Sequence, residues 1–322
     1  MRLSFVGNLV DSELSWLTNT AKKFADVTNE VSIEFHQKHE WLRTLRAQSE
    51  KIKLLRSELP EFCEPSFGLH IPWEPKKYYR VLDEGFDDKT VLAWLKFCAE
   101  NNIELVNMHL EWGDGIGKLD WRDDENKRDK QIKTAADNLK NIISFVEANN
   151  IKLSIETLPS FLYDDVSGRG FVDFPAFPTD YLKLRKLIGF EFGINPDVSH
   201  TGITWYNIRN NILDGIYKSD SEWFGLTMEG FFEKFIKMSK PSYQIHVADF
   251  AGNRNPSQHA MTLGEGFLTD KTIKTIIKSI DKKTVVVLEI KEDWKTMEKM
   301  RLAGYLPNTM KSLEKLKEFL KN

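Results

Sequence analysis

Short apolar runs separated by longer segments of helical spacing set the rhythm of this chain. Arg2–Gly7, Val31–Phe35, Ser66–His70, Glu104–His109, Lys152–Glu156, Phe190–Asn195, Tyr243–His246 and Thr284–Glu289 have the length and apolar character of strands. Helices are predicted between them. Asp11–Phe24 carries Leu14, Leu17 and Ala21 on one side, Trp41–Leu59 is amphipathic and stopped by Pro60, and Lys89–Asn101 follows. Lys130–Ala148, with Ile132, Ala135, Leu139, Ile142, Ile143 and Val146 at helical spacing, precedes Thr179–Leu187, Met228–Met238, Asp270–Ile280 and Ser312–Leu320. Eight strands alternating with helices argue for parallel strands joined by helical crossovers. The expected fold is an α/β, (β/α)8 TIM barrel, a single domain over residues 1–322, since no linker or low-complexity segment divides the chain. Two polar stretches, 111–129 and 157–177, exceed a usual strand-to-helix connection and are expected to be loops over the barrel mouth.

The ends of the apolar runs carry the chemistry. Phe192–His200 reads FGINPDVSH and delivers Asp197 and His200, three residues apart, into the loop just beyond a strand. The other runs finish on His70, His109, Glu156, His246 and Glu289. A barrel gathers its strand ends over one mouth, so these residues, with His259, form one candidate set of imidazoles and carboxylates without thiolate. Such donors suit Zn, Mn, Fe or Co. Glu156 and Glu289 weigh most, because each ends an otherwise apolar run where an unpaired carboxylate would cost several kcal/mol to bury. Of the seven histidines, only His36 and His39 fall outside the set.

Composition changes this picture little. With 322 residues, 41% hydrophobic and 29% charged, the chain has length for one large core, and a formal charge of -3 supplies no basic field to recruit nucleic acid. Cys63 and Cys98 show no metal-ligand spacing and read as buried free thiols of a reducing compartment. No signal peptide is apparent and no run approaches the roughly 18 apolar residues of a membrane helix, so the expected location is the cytoplasm.

The strand-end residues, the segment IHVADFAGN and the later LGEG at Leu263–Gly266 resemble the xylose-isomerase-like barrel superfamily, which includes sugar isomerases, epimerases and endonuclease IV. In the epimerase branch the resemblance implies a single divalent metal on Glu156, Asp197, His246 and Glu289. In the endonuclease branch it implies up to three zinc ions, with His70, His109, His200 and His259 as additional ligands. Three departures oppose the second branch. Ser257 stands where that branch has an aspartate, the gap from His259 to LGEG is one residue longer, and FVGNLV lacks the usual N-terminal histidine. HIPW at His70–Trp73 resembles the endonuclease stretch, although sugar-acting relatives carry something close to it.

Both long loops are net acidic, which disfavours a DNA duplex at the mouth. The leading expectation is a metal-dependent isomerase or epimerase of a sugar, sugar phosphate or polyol, with Glu156 and Glu289 as acid and base and His200 on a substrate oxygen. Trp73, Trp112, Arg254 and Lys291 are expected to contact this carbohydrate. The alternative is a phosphodiesterase cutting DNA at abasic sites with a multinuclear zinc site.

Overall fold

The computed structural model describes residues 1–7, 9–10, 13–36, 43–59, 63–69, 81–82, 86–110, 118–120, 125–160, 162–164, 170–173, 175–210, 218–252, 259–292 and 294–320. Eight parallel strands form the central sheet: β1 (Leu3–Gly7), β2 (Val31–His36), β3 (Cys63–Leu69), β4 (Leu105–Met108), β6 (Lys152–Glu156), β9 (Gly193–Asn195), β10 (Gln244–Val247) and β11 (Val285–Leu288). Their order is β10-β11-β1-β2-β3-β4-β6-β9, so chain order is kept around the sheet. The end strands β9 and β10 meet through Ile194 N, which donates to Pro241 O at 3.1 Å, and His246 N, which donates to the Asn195 side chain at 3.0 Å. Here a side chain occupies a backbone N–H that a ladder would otherwise use. The architecture is the predicted TIM barrel.

The helices are α1 (Leu14–Ala25), α2 (Leu45–Glu58), α3 (Lys89–Glu100), α4 (Glu125–Ala148), α5 (Pro178–Ile188), α6 (Val198–Arg209), α7 (Met228–Met238), α8 (Asp270–Ser279), α9 (Trp294–Ala303) and α10 (Pro307–Leu320). Local chemistry sets several ends. Thr227 and Thr269 accept from Gly230 N and Thr272 N at the starts of α7 and α8, and α5 has proline at its first position and left-handed Gly189 at its close. The apolar faces meet the strands in one core that includes Phe5, Phe35, Trp94, Leu139, Phe192 and Phe235.

The regions read as long loops contain structure of their own. β5 (Lys118–Asp120), β7 (Leu162–Asp164) and β8 (Gly170–Asp173) form a three-stranded antiparallel sheet in the order β5-β8-β7. The helix that follows β5, α4, begins at Glu125 rather than Lys130, so Arg128 is helical, and it donates at 2.7 Å to Asp180 with both side chains buried. Short polar segments carry too weak an alternation to be read as strands, and β5 finds its partner β8 only about fifty residues further on. Likewise, α6 lies in a stretch given no helix by the sequence reading; it is buried on nearly every side and lacks the amphipathic stripe that reveals a surface helix.

Candidate metal centre

Four donors converge at the C-terminal ends of the strands. Glu156 is the last residue of β6, His246 lies in β10, Glu289 directly follows β11, and Asp197 follows β9. One ligand atom from each lies within 4.8 Å of the others. His246 Nδ1 is the common neighbour, 2.8 Å from Glu289 Oε2, 3.2 Å from Glu156 Oε2 and 3.8 Å from Asp197 Oδ2. Glu156, Asp197 and His246 are buried, whereas the Glu289 side chain keeps 12% exposure and forms the open side of the cluster.

Asp197 and His200 sit on a helix start rather than in a loop. Asp197 is the N-cap of α6, and its Oδ1 accepts from His200 N at 2.6 Å and from Ser199 Oγ at 2.8 Å. The three-residue spacing is that of a cap and the third helical residue. With Oδ1 so engaged, Oδ2 turns toward the cluster and finds no hydrogen-bond partner among the described residues.

Glu156 presents its two oxygens to two groups of donors. Oε2 accepts from Asn107 Nδ2 at 2.6 Å and Asn195 Nδ2 at 3.3 Å, and faces His246. Oε1 lies 2.9 Å from His109 Nε2 and 3.5 Å from His200 Nδ1. The His200 ring is also 2.8 Å from Thr157 O through Nδ1, and its centroid is 6.2 Å from that of His109 and 5.4 Å from that of His259. Three of the four additional histidines therefore adjoin the cluster. His70, Trp73, Trp112 and Arg254 lie outside the described residues, and Lys291 is exposed just past β11.

Electrostatics divide the carboxyls. Burial alone would raise the Glu156 pKa, but the His109 and His246 imidazoles overcome it and hold this carboxyl well below its usual range. Glu289 moves the other way: removal from bulk water and the neighbouring Glu156 and Asp197 charges push it well above 4.5, despite the pull of His246. For His246, burial opposes the charged form, yet Glu156, Glu34 and Glu289 raise it well above 6.5. A divalent cation fits this donor set. Three carboxylates crowd one imidazole, one of their oxygens is unbonded, and a metal would relieve the repulsion that a single imidazolium offsets only in part.

Two interior residues escaped the sequence reading. Glu34, fully buried in β2, touches His246 through Nε2, and His36, left outside the candidate set, lies 3.0 Å from Glu34 with its ring stacked 6.3 Å from that of His246. The signal was present: Glu34 interrupts the apolar run VSIEF as Glu156 ends LSIE. A cleft of about 1280 Å³ opens at the opposite end, lined by Arg2, Ser32, Leu105, Lys152 and Val285, where the strands begin. In TIM barrels that end serves stability rather than chemistry.

Comparison with known proteins bears on this arrangement. No protein of curated function matches the chain in sequence. Among solved structures, a putative xylose isomerase from Rhodospirillum rubrum superposes with a TM-score of 0.67 at 12% identity, covering 99% of each chain. A D-tagatose 3-epimerase-like protein superposes at 0.60 with 16% identity, covering 100% of this chain and 97% of its own. The D-psicose 3-epimerase of Clostridium cellulolyticum gives 0.60 at 10% identity with 99% of each chain covered. At these identities the likeness establishes the fold. A family profile for xylose isomerase-like TIM barrels matches residues 85–321, well over half of the chain and all four of Glu156, Asp197, His246 and Glu289, and the chain accordingly belongs to the xylose isomerase-like TIM-barrel family.

Proposed function

We propose that this protein is a divalent-metal-dependent isomerase or epimerase of a sugar or related polyol, acting by proton transfer at the carbon next to a carbonyl. The observation that carries the reading is the convergence of Glu156, Asp197, His246 and Glu289 within 4.8 Å over the barrel mouth. Neighbours in fold that are described as a D-psicose 3-epimerase and a D-tagatose 3-epimerase-like protein support the substrate class.

A bound divalent ion would supply Lewis acidity, polarising the substrate carbonyl and acidifying the adjacent C–H. The chain's own residues do the rest. Asp197 and His246 act as ligands, their rotamers set by the α6 cap and by Glu34. Glu289, on the open side of the cluster, would give and take a proton at the substrate carbon. Glu156, kept ionised by His109 and His246, provides the second carboxylate for the opposite face. His200 would contact a substrate oxygen, while Trp73, Trp112, Arg254 and Lys291 would line the approach.

A second reading rests on a specific feature, the approach of His109 and His200 to the other oxygen of Glu156. Glu156, His109 and His200 would there hold a further zinc ion, and a multinuclear site of this kind would supply the Lewis acidity for hydrolysis of a phosphodiester. Elemental analysis of protein purified without added metal or chelator separates the two. About one metal equivalent per chain, lost in Glu289→Ala, with turnover of a ketose from a panel of free and phosphorylated ketoses, supports the isomerase. About three zinc equivalents, reduced in His109→Ala, with cleavage of an abasic-site duplex, would replace it. A chain that retains no metal would overturn both.

A further inference from the structure

We infer that Glu34 is a positioning residue for the metal ligand His246: its buried carboxylate takes the Nε2–H of the ring and so turns the Nδ1 lone pair toward Glu156, Asp197 and Glu289. The inference rests on the metal centre proposed above and adds a residue from a strand that supplies no ligand. β2 is three places from β10 in the sheet, so the contact crosses the barrel interior rather than joining neighbouring strands. Glu34 Oε1 and Oε2 lie 3.1 and 3.3 Å from His246 Nε2. On the other side of the ring, Nδ1 faces the three carboxylates.

The carboxylate is itself held in place. Gln244 Nε2 donates to Oε2 at 2.7 Å, and His36 Nε2 lies 3.0 Å from Oε1. Gln244 Nε2 also approaches His246 Nε2 at 3.0 Å. A lone pair on that ring nitrogen would nevertheless point at a fully buried carboxylate, a repulsion that the N–H form turns into a charge-assisted hydrogen bond. A ring fixed at Nε2 by a carboxylate has one nitrogen left for a cation, and such outer partners orient the ligand and increase its basicity.

The test uses the full chain and zinc as the probe, with affinity read by competition against a chromophoric chelator. Glu34→Ala is expected to weaken zinc binding about 10- to 100-fold, and Glu34→Gln to recover part of the loss, because its amide oxygen can still accept from Nε2. Zinc-loaded wild-type protein supplies a reading independent of any variant: long-range ¹⁵N–¹H correlations should show His246 protonated at Nε2 and metallated at Nδ1. Zinc on Nε2 in that spectrum, or folded Glu34 variants that bind zinc within about threefold of wild type, would overturn the inference and leave the metal centre standing. Wild-type protein without zinc affinity, or affinity unchanged in Glu289→Ala, would instead remove the metal centre and this role with it.

Discussion

Asp249 lies three residues beyond His246 and is fully buried, and its carboxylate gathers four backbone N–H groups. Oδ1 accepts from Phe250 and Leu268 at 2.9 Å each, and Oδ2 from Gly264 at 2.9 Å and Gly266 at 3.0 Å. Asp249→Asn keeps the shape and removes one acceptor, so in either orientation an NH2 group faces two N–H donors. Two charge-assisted hydrogen bonds at about 1.5–3 kcal/mol each put the cost near 3–6 kcal/mol. That is a large part of the roughly 5–15 kcal/mol that holds a typical protein folded. The loop has little room to adjust, since a Cβ on Gly266 would come within 2.3 Å of Phe250 O and 2.5 Å of Asp249 Oδ1. In urea unfolding with a slope of about 3 kcal/mol/M, the midpoint should fall by about 1–2 M. A shift worth less than about 1 kcal/mol would refute the claim that this carboxylate organises the segment 264–268.

Three further outcomes are expected. In metal-free protein, the raised pKa values of His246 and Glu289 mean that the folded state binds more protons than the unfolded one; the His246 contribution is complete below about pH 6.5 and is lost as pH rises through its folded value. The melting temperature with chelator present should therefore fall from pH 6.5 to 9, and saturating zinc, if held on His246 as proposed, should flatten or reverse the slope. Gly202→Ala places a methyl 2.1 Å from the Phe250 ring inside a buried helix, so a loss of about 1–3 kcal/mol is expected in thermal unfolding. Burial pushes the Cys98 thiol well above its ordinary range, and peptide mapping after treatment with a charged thiol reagent should find it unmodified until denaturant is added.

The barrel was legible because its information is local: each strand run is apolar, each principal helix has a periodic face, and their alternation permits few topologies. That Glu156, Asp197, His246 and Glu289 meet followed from the same logic, since TIM-barrel strand ends share a mouth, whereas singling them out from the other strand-end residues as one ligand set rested on the family resemblance. What escaped depends on distances across the barrel. His36 looked like a strand-end bystander until β2 and β10 were seen to face each other, and Asn107 and Asn195 are ordinary polar residues until both donate to Glu156. α6 was missed because a helix covered on most sides carries no polar stripe, and His200 was consequently assigned to a loop. The small sheet joins β5 to β8 about fifty residues further on and β8 to the nearby β7, and none of the three segments alone is apolar enough to declare itself.

One feature of the wall reaches beyond the site. Between β9 and β10, the Asn195 side chain spans the gap, donating to Glu156 on one side and accepting from His246 N on the other. Asp197 and His246, two of the proposed ligands, stand on opposite banks of that same gap. An ion held by both would act as a rivet through a seam that has little stitching of its own. Loading and release would then be mechanical as well as chemical events, tightening or loosening the cylinder at the place where its first and last edges meet.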